Sequence, residues 1–193
     1  MQSRDRILKA IQQNKPTERY RVTYTLPENH AHNLGELYKS ALERNGGTFF
    51  KADSTDEVEA ILSRSFPGVA RVSLVVGISG SRSLKAESDP HGLADVEVAV
   101  VRGVVGVAEN AAIWLSEKEV VTRVLPFIAQ HLVIVLEEKD LVPTMHEAYA
   151  RLDVRESNYG VFVAGPSKTA DIEQSLVIGA HGPRSLTVVL INQ

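Results

Sequence analysis

Apolar residues in the first half of the chain recur at helical spacing and then in short continuous runs. They follow helical spacing from Leu34 to Leu42, and the pair Gly46-Gly47 comes shortly after. This pattern predicts a helix that ends at the glycines, since glycine readily adopts the left-handed backbone that closes helices. The elements predicted next are a strand from Thr48 to Lys51, a helix from Ser54 that ends before Pro67, and a buried strand from Arg71 to Ile78.

Glycines and polar residues divide the middle of the chain into short apolar runs, for which both hairpins and parallel strands fit. Further on, predicted strands and helices alternate, which is typical of a mostly parallel sheet with helices on its faces. We therefore predict a three-layer α/β fold with a mostly parallel sheet. The runs and elements are Val96–Val101, Val104–Val107, Ala111–Leu115, strand His131–Leu136, helix Asp140–Leu152, strand Tyr159–Ala164, helix Ala170–Leu176 and strand Leu186–Ile191.

The N-terminal residues predict a short helix followed by a polar linker. Ile7, Leu8 and Ile11 fall on one side of a helix that opens near Ser3, and Pro16 ends it. Residues 1–33 are thus expected to form an N-terminal helix and linker, and residues 34–193 the α/β domain. Such a linker would let the helix lie either across the domain or across a partner subunit, and the second alternative would make the protein a homo-oligomer.

Composition excludes several classes of function. The 193 residues carry 21 Lys plus Arg against 24 Asp plus Glu, so a net charge of -3 gives no reason to expect nucleic-acid binding. The chain has no cysteine, which excludes thiol catalysis and iron–sulfur clusters held by its own residues. Its longest uncharged run, Val124 to Leu136, is well short of the ~20 residues of a membrane-spanning helix. We expect a cytoplasmic protein without a membrane span.

Two glycine-rich turns near the C-terminus form the strongest candidate site. Gly165 begins a turn after a predicted strand, where the loops of parallel sheets bind ligands. The following predicted helix start would present hydroxyls, an ammonium group and free N–H groups, which suit a carboxylate or phosphate. A well-capped helix is the alternative interpretation. The binding candidates are Gly165, Ser167, Lys168, Thr169 and Asp171, together with His181 and Gly182 of the second turn.

Five further residues are candidates for chemistry. Glu109 lies in a turn from which its carboxylate could act as a general base or pair with the lysine, whereas a solvent-facing glutamate is the alternative. His131 opens a predicted strand and is either functional or a buried histidine bonded to the backbone. A small-residue loop with Gly80, Ser81 and Arg82 follows a predicted strand and is a weaker binding candidate. No metal site is expected.

The run from Gly165 to Ile191 resembles the C-terminal motif of the lactate utilization protein C family, the LUD-domain proteins. That family carries Gly-Pro-Ser-x-Thr-Ala-Asp-Ile-Glu followed by Gly-x-His-Gly-Pro. The resemblance continues upstream at Gly106 to Glu109, where the family has the turn Ala-Glu-Thr-Gly-Thr, and at Leu125-Pro126 before His131. It also includes a short helix at Ser3-Arg4-Asp5.

The resemblance implies a fold of the sugar-phosphate isomerase and coenzyme A transferase group. It also implies a role in bacterial conversion of L-lactate to pyruvate beside iron–sulfur partner proteins, which agrees with the missing cysteines. One departure matters. Where the family turn continues Thr-Gly-Thr, this chain has Asn110-Ala111-Ala112, which puts in doubt whether it is catalytically active.

The leading hypothesis is an accessory component of L-lactate or related 2-hydroxy acid oxidation. It would hold a small anion in a cleft built by Ser167, Lys168, Thr169, His181 and Gly182, with His181 and Glu109 as candidates for proton transfer. Clusters would reside only on partner proteins, and no cofactor is assigned to this chain. Two alternatives remain: a stand-alone enzyme or binding protein for a phosphorylated, coenzyme A or folate-like ligand, and a non-catalytic regulatory subunit.

Overall fold

Helices and strands alternate along the protein, whose structure, a computed structural model, describes residues 3–15, 33–84, 89–153, 157–170 and 176–192. The α-helices are α1 Ser3–Gln13, α2 Leu34–Arg44, α3 Thr55–Ser65, α4 Glu117–Val120, α5 Leu125–Ile128 and α6 Met145–Arg151. The strands are β1 Thr48–Ala52, β2 Arg71–Ser73, β3 Val98–Arg102, β4 Val105–Val107, β5 Ile113–Ser116, β6 His131–Glu137, β7 Leu141–Val142, β8 Gly160–Val163, β9 Lys168–Ala170, β10 Leu176–Ile178 and β11 Ser185–Ile191. Short 3-10 helices cover Pro90–Leu93 and Glu138–Asp140.

Five strands form a central sheet in the order β1-β11-β6-β3-β2, and every neighbouring pair is parallel. The sheet is centred on β6 and β11, whose long apolar runs are buried from Leu132 to Leu136 and from Leu186 to Ile191. Continuous apolar strands are expected where both faces of a parallel sheet are covered. The predicted α/β fold with a mostly parallel sheet is confirmed.

Different elements cover the two faces of this sheet. On one face, Val58 and Leu62 of α3 pack in a cluster with Val133 and Val189 of the sheet. On the other face, α2 and a second sheet, ordered β7-β4-β5-β8, share a larger apolar cluster with the central strands. In the second sheet β4 pairs antiparallel with β5 and parallel with β7, so both of the arrangements that fit the middle segment occur.

Capping residues fix the ends of α2 and α3, and among them Ser54 and Gly46 were predicted whereas Asn33 was not. The side chain of Asn33 accepts a hydrogen bond from Glu36 N at the start of α2, and Gly46 beyond its end has a φ of +84°. Ser54 caps α3 by accepting from Glu57 N. These polar groups satisfy backbone donors that the helix itself leaves unpaired.

Two predicted elements are shorter than expected. The strand predicted from Arg71 to Ile78 ends at Ser73, after which the chain turns back so that Ser81 N donates to Arg71 O at 2.8 Å. The helix predicted from Asp140 begins only at Met145, because the residues before it pair with β4 as β7. In the first case a local reversal of the chain ends the strand, and in the second long-range pairing with β4 outweighs the local apolar pattern.

The helix predicted from Ala170 to Leu176 is wrong at both of its ends. Lys168–Ala170 and Leu176–Ile178 are strands β9 and β10 of an antiparallel hairpin, with Lys168 opposite Ile178. A helix start would have left several backbone N–H groups without a partner. Here the same segment is part of a β-hairpin instead. Residues 171–175, with the candidate Asp171, lie outside the described residues.

The chain divides into a short N-terminal unit, residues 1–30, and a main unit, residues 31–193. In the first unit α1 confirms the predicted helix, and its Ile7, Leu8 and Ile11 are each about half exposed. Most of the predicted linker, residues 16–32, lies outside the described residues. Within the described part of the chain, none of the helices has the length and apolar character needed to cross a membrane.

Candidate functional site

A cavity of about 290 Å³ lies between the two glycine-rich turns. Gly165, Ser167 and Lys168 of the first turn line it, as do His181 and Gly182 of the second. The structure therefore brings together five of the seven residues proposed for the anion site. The remaining walls are Pro126, Phe127, Pro183 and the end of β8 from Val161 to Ala164.

Backbone hydrogen bonds hold the two turns side by side. Ser167 N donates to Pro183 O at 2.9 Å, and Gly179 N donates to Ser167 O at 3.0 Å. Gly182 lies so close to Ser167 that a Cβ built on it would be 3.1 Å from the serine Cβ. A glycine at position 182 is thus what allows the second turn to approach the first.

The Lys168 side chain extends from this cavity toward the end of α2. A Cβ built on Gly46 would lie 3.3 Å from Lys168 Nζ, which places the ammonium group near the carbonyl end of the helix. Among the described residues, Nζ makes no hydrogen bond or ion pair. The lysine is exposed, so its charge is available to a ligand. The Thr169 hydroxyl, in contrast, donates to Val177 O at 3.3 Å within the hairpin and does not line the cavity.

Asn45, just after α2, connects the first turn to a distant part of the chain. Its Nδ2 donates to Ala164 O at 2.8 Å, next to Gly165, and to Asn110 O at 2.9 Å. The turn that contains Asn110 is itself fixed, because the asparagine Oδ1 accepts from Ala112 N at 2.9 Å. One side-chain amide thus links α2, the 110 turn and the start of the glycine turn.

The cavity does not lie where we expected it relative to the parallel sheet. Pro183 precedes β11, and Pro126 and Phe127 precede β6, so the cavity is at the amino ends of these strands. Gly165 does follow the carboxyl end of a strand, but that strand, β8, belongs to the second sheet. We expected the turn to follow a strand of the parallel sheet, because ligands bind beyond the carboxyl ends of such strands. The turn instead follows a strand of the second sheet.

Comparison with known proteins assigns the family. The LUD domain family matches residues 91–191, slightly more than half of the chain. The chain belongs to the LUD domain family. This matched region contains both glycine-rich turns, the 110 turn and His131, whereas α2 lies before it.

Relatives of this LUD domain include proteins named lactate utilization protein C. The one from Bacillus pumilus is 35% identical over 91 residues, which cover 44% of this chain and 38% of the relative. The one from Exiguobacterium is 25% identical over 199 residues, covering 97% and 83%. In the first comparison the match spans well under half of the relative's length.

A solved structure supports the fold of this LUD domain. The crystal structure of a DUF162 family protein from Deinococcus radiodurans superposes with a TM-score of 0.64. The match covers 83% of this chain and 97% of that chain at 18% sequence identity. At this identity the likeness concerns the fold alone.

Glu109 does not line the cavity of the LUD domain. Its Oε1 accepts a hydrogen bond from Met145 N at 2.7 Å, and its own N–H donates to Pro143 O at 3.1 Å. The carboxylate therefore binds the first turn of α6, where helices carry unpaired donors and a partial positive charge. This placement gives the residue a structural partner and separates it from His181.

The 110 turn of the LUD domain is exposed at Asn110 and buried at the two alanines that follow. Ala111 is a non-glycine residue with a φ of +59°, a backbone conformation that favours glycine, and the resemblance described above places the glycine of Thr-Gly-Thr at this position. The Tyr38 hydroxyl donates to Ala111 O at 3.3 Å, and burial raises the pKa of that hydroxyl, which keeps it a donor. Ala111 and Ala112 are almost fully enclosed, so this part of the turn packs inside the protein.

His131 lies apart from the cavity, at the amino end of β6. Its Nδ1 is 2.7 Å from the hydroxyl of Ser185, the neighbouring residue on β11. Its ring stacks at a tilt against Phe66, with centroids 5.3 Å apart. The histidine is half-buried and its partner is a side-chain hydroxyl. The structural alternative in the sequence analysis had predicted a backbone partner.

The loop with Gly80, Ser81 and Arg82 folds back along β2. The Ser81 hydroxyl donates to Arg71 O at 2.9 Å, and a Cβ on Gly80 would lie 2.9 Å from Ser73 N. Arg82 pairs with Asp95 at 2.6 Å, and this partner raises the pKa of the guanidinium. Gly80 and Ser81 border a separate cavity of about 400 Å³. The contacts of the loop show that it covers β2, an edge strand of the central sheet.

Sequence reasoning missed Asn45 and Phe127 at the candidate site. Asn45 stands directly before Gly46-Gly47 and carries only the signal of a helix end. Its partners lie 65 and 119 residues away, so no local pattern could identify them. Phe127 stands out only in the structure, as a large apolar side chain that is partly exposed at the mouth of the cavity.

Proposed function

We propose that this LUD domain acts in lactate utilization as an accessory component that binds a small organic anion between its two glycine-rich turns. The observation that carries the proposal is the cavity itself, which the exposed Lys168 and His181 line together with Gly165, Ser167 and Gly182 of the two turns. A lysine ammonium is a charge-assisted donor, the kind of group that binds carboxylates strongly. The names of the relatives favour lactate or its oxidation product as the anion.

The size of the cavity favours a small ligand over a large one. At about 290 Å³ it is at the lower limit of pockets that enclose drug-sized molecules. A three-carbon acid fits within such a volume, whereas coenzyme A or a folate would extend far outside it. Lys168 would hold the carboxylate, and His181 would donate to it or to a neighbouring hydroxyl.

Oxidation itself would require electron acceptors outside this chain. The sequence has no cysteine and so cannot hold an iron–sulfur cluster by thiolates. Partner proteins with clusters would supply that step. Anaerobic affinity purification of the tagged protein from its native cells, with mass spectrometry and an iron and sulfide assay, tests this part. Recovery without iron or partners, under conditions that express the pathway, would contradict it.

Titration calorimetry of the full chain with L-lactate and with pyruvate tests the cavity. We expect saturable binding that Lys168→Met weakens by about tenfold or more, because a charge-assisted hydrogen bond is lost. The matched control is Lys118→Met, which removes another exposed lysine from a different surface. Equal weakening by both variants, or no binding to the unaltered protein, would contradict the proposal. Binding that survives both Lys168→Met and His181→Ala would favour a regulatory subunit with a site elsewhere.

A further inference from the structure

A second cavity, also about 290 Å³, opens at the edge of the central sheet where the parallel strands end. Arg102 ends β3, Glu137 ends β6 and Ile191 ends β11, and all three line it. Thr55, the first residue of α3 after β1, forms part of the opposite wall. This cavity therefore lies at the other end of β6 and β11 from the cavity between the glycine-rich turns.

The alternation of the strands explains which side chains meet there. Side chains two residues apart point to one face of a strand, so Glu137 projects to the same side as Val133 and Val135. Those two valines belong to the cluster that packs against α3. α3 begins at this edge of the sheet and therefore leaves the strand ends partly uncovered. The loop after β2, with Leu74, Val75 and Val76, forms another wall of the cavity. The result is a gap over the strand ends with apolar walls.

The charges in this gap are arranged around one enclosed carboxylate. The side chain of Glu137 is 12% exposed and forms ion pairs with both Arg102 and Lys139. The hydrogen bond from Lys139, with the charge of Arg102, lowers the pKa of Glu137 and keeps it ionised. Asp140 is nearby, and burial and the charge of Glu137 raise the pKa of that carboxyl. Two cations thus share Glu137, and the Arg102 side chain remains 54% exposed.

We propose that this second cavity binds a small aliphatic carboxylate, with its acid group at Arg102 and Thr55 and its apolar part against Val75 and Val135. A guanidinium has five donors, and Glu137 leaves several of them for a second carboxylate. The carboxyl ends of parallel strands are also where open α/β sheets bind ligands. At the mouth, Val76 is 93% exposed, an apolar side chain in position to cover a bound aliphatic group.

Nuclear magnetic resonance of the ¹⁵N-labelled full chain, titrated with butyrate and separately with inorganic phosphate, tests this site. We expect butyrate to cause saturable shifts of the amides of Thr55, Val75, Val76 and Arg102, and phosphate to cause much weaker ones. Arg102→Gln should weaken butyrate binding by about tenfold. The matched control is Arg123→Gln, since Arg123 is 55% exposed and likewise paired with a glutamate, on another surface.

A second variant tests the site without breaking an ion pair, so a loss of binding cannot be attributed to a loss of folding. Val76→Asp places a negative charge at an exposed position and should weaken butyrate binding while leaving the thermal midpoint unchanged. Unaltered binding in Arg102→Gln and Val76→Asp, or shifts confined to the residues around Lys168, would overturn the proposal. Lys168→Met should leave the butyrate shifts at Arg102 intact, so failure of the first cavity and of this one are distinguishable.

Discussion

The carboxylate of Glu109 accepts a hydrogen bond from the backbone N–H of Met145, the first residue of α6, at 2.7 Å. The two residues are far apart in sequence, yet the contact closes the start of a helix whose own N-cap, Thr144, accepts from Glu147 N. A glutamate that looked like a general base in the sequence therefore stabilises a helix terminus across the second sheet.

Removal of this carboxylate should lower stability without affecting the cavity between the turns. We expect Glu109→Ala to reduce the free energy of unfolding by about 1 kcal/mol, the usual effect of losing a helix cap. Glu109→Gln, which keeps an acceptor oxygen, should lose less. Thermal unfolding measures both variants, and calorimetry should give unchanged lactate binding. A loss of binding at unchanged stability would instead restore a functional role for Glu109.

The left-handed backbone at Ala111 makes a second prediction. Ala111→Gly and Ala112→Gly both remove one buried methyl group, but only Ala111 has a positive φ. The left-handed conformation disfavours alanine by about 1–2 kcal/mol relative to glycine. Ala111→Gly should therefore be less destabilising than Ala112→Gly by about that amount. Chemical denaturation of the two variants in parallel checks this difference, and equal losses of stability would argue against strain at Ala111.

Stability in acid should depend on Glu137. Its pKa is lowered in the folded protein by the hydrogen bond from Lys139 and by the charge of Arg102. The stabilisation is therefore complete above the unfolded pKa, roughly 4.3, and disappears as the pH falls through the lower folded value. Glu137→Gln should be less stable than the unaltered protein at neutral pH, and the gap should close in acid. Glu138→Gln, in the adjacent and more exposed ion pair with Lys51, is the control. A gap independent of pH would exclude ionisation of Glu137 as its source.

Asn45 should control the geometry of the first glycine-rich turn. Asn45→Asp keeps the size of the side chain but replaces the donor to Asn110 O and Ala164 O by an acceptor. The contact with Ala164 O is partly buried, so leaving that carbonyl without a partner should reduce stability by about 1–3 kcal/mol, whereas the exposed Asn110 O can bond to water. Amide exchange at Gly165 should accelerate in this variant more than at residues of β6. Asn158→Asp, on an exposed surface, is the control, and equal exchange at Gly165 in both variants would contradict this role.

Much of the fold could be predicted because its signals are local. The apolar runs of β6 and β11 identify buried parallel strands, and Ser54 and Gly46 mark helix ends through capping chemistry. The hairpin of β9 and β10 could not be predicted from such local signals. Its residues suit a helix and a strand almost equally, and the pairing of Lys168 with Ile178 decides between them.

The site was predicted in part for the same reason. Both glycine-rich turns are visible in the sequence, and the structure brings Ser167 and Gly182 together. Where the turns lie on the sheet depends on the second sheet, whose β8 leads into Gly165. The ion pair of Arg102 and Glu137 connects strand ends 35 residues apart and gave no sequence signal at all.

The two hydrogen bonds of Asn45 span 65 and 119 residues of chain. Contacts of such sequence separation require the closure of long loops, which slows their formation. The hydrogen bond that holds the start of the first turn therefore forms only once α2 has docked. A peptide that carries the entire motif from Gly165 to Ile191 would contain the recognisable residues of this family and still lack the scaffold that holds them in place.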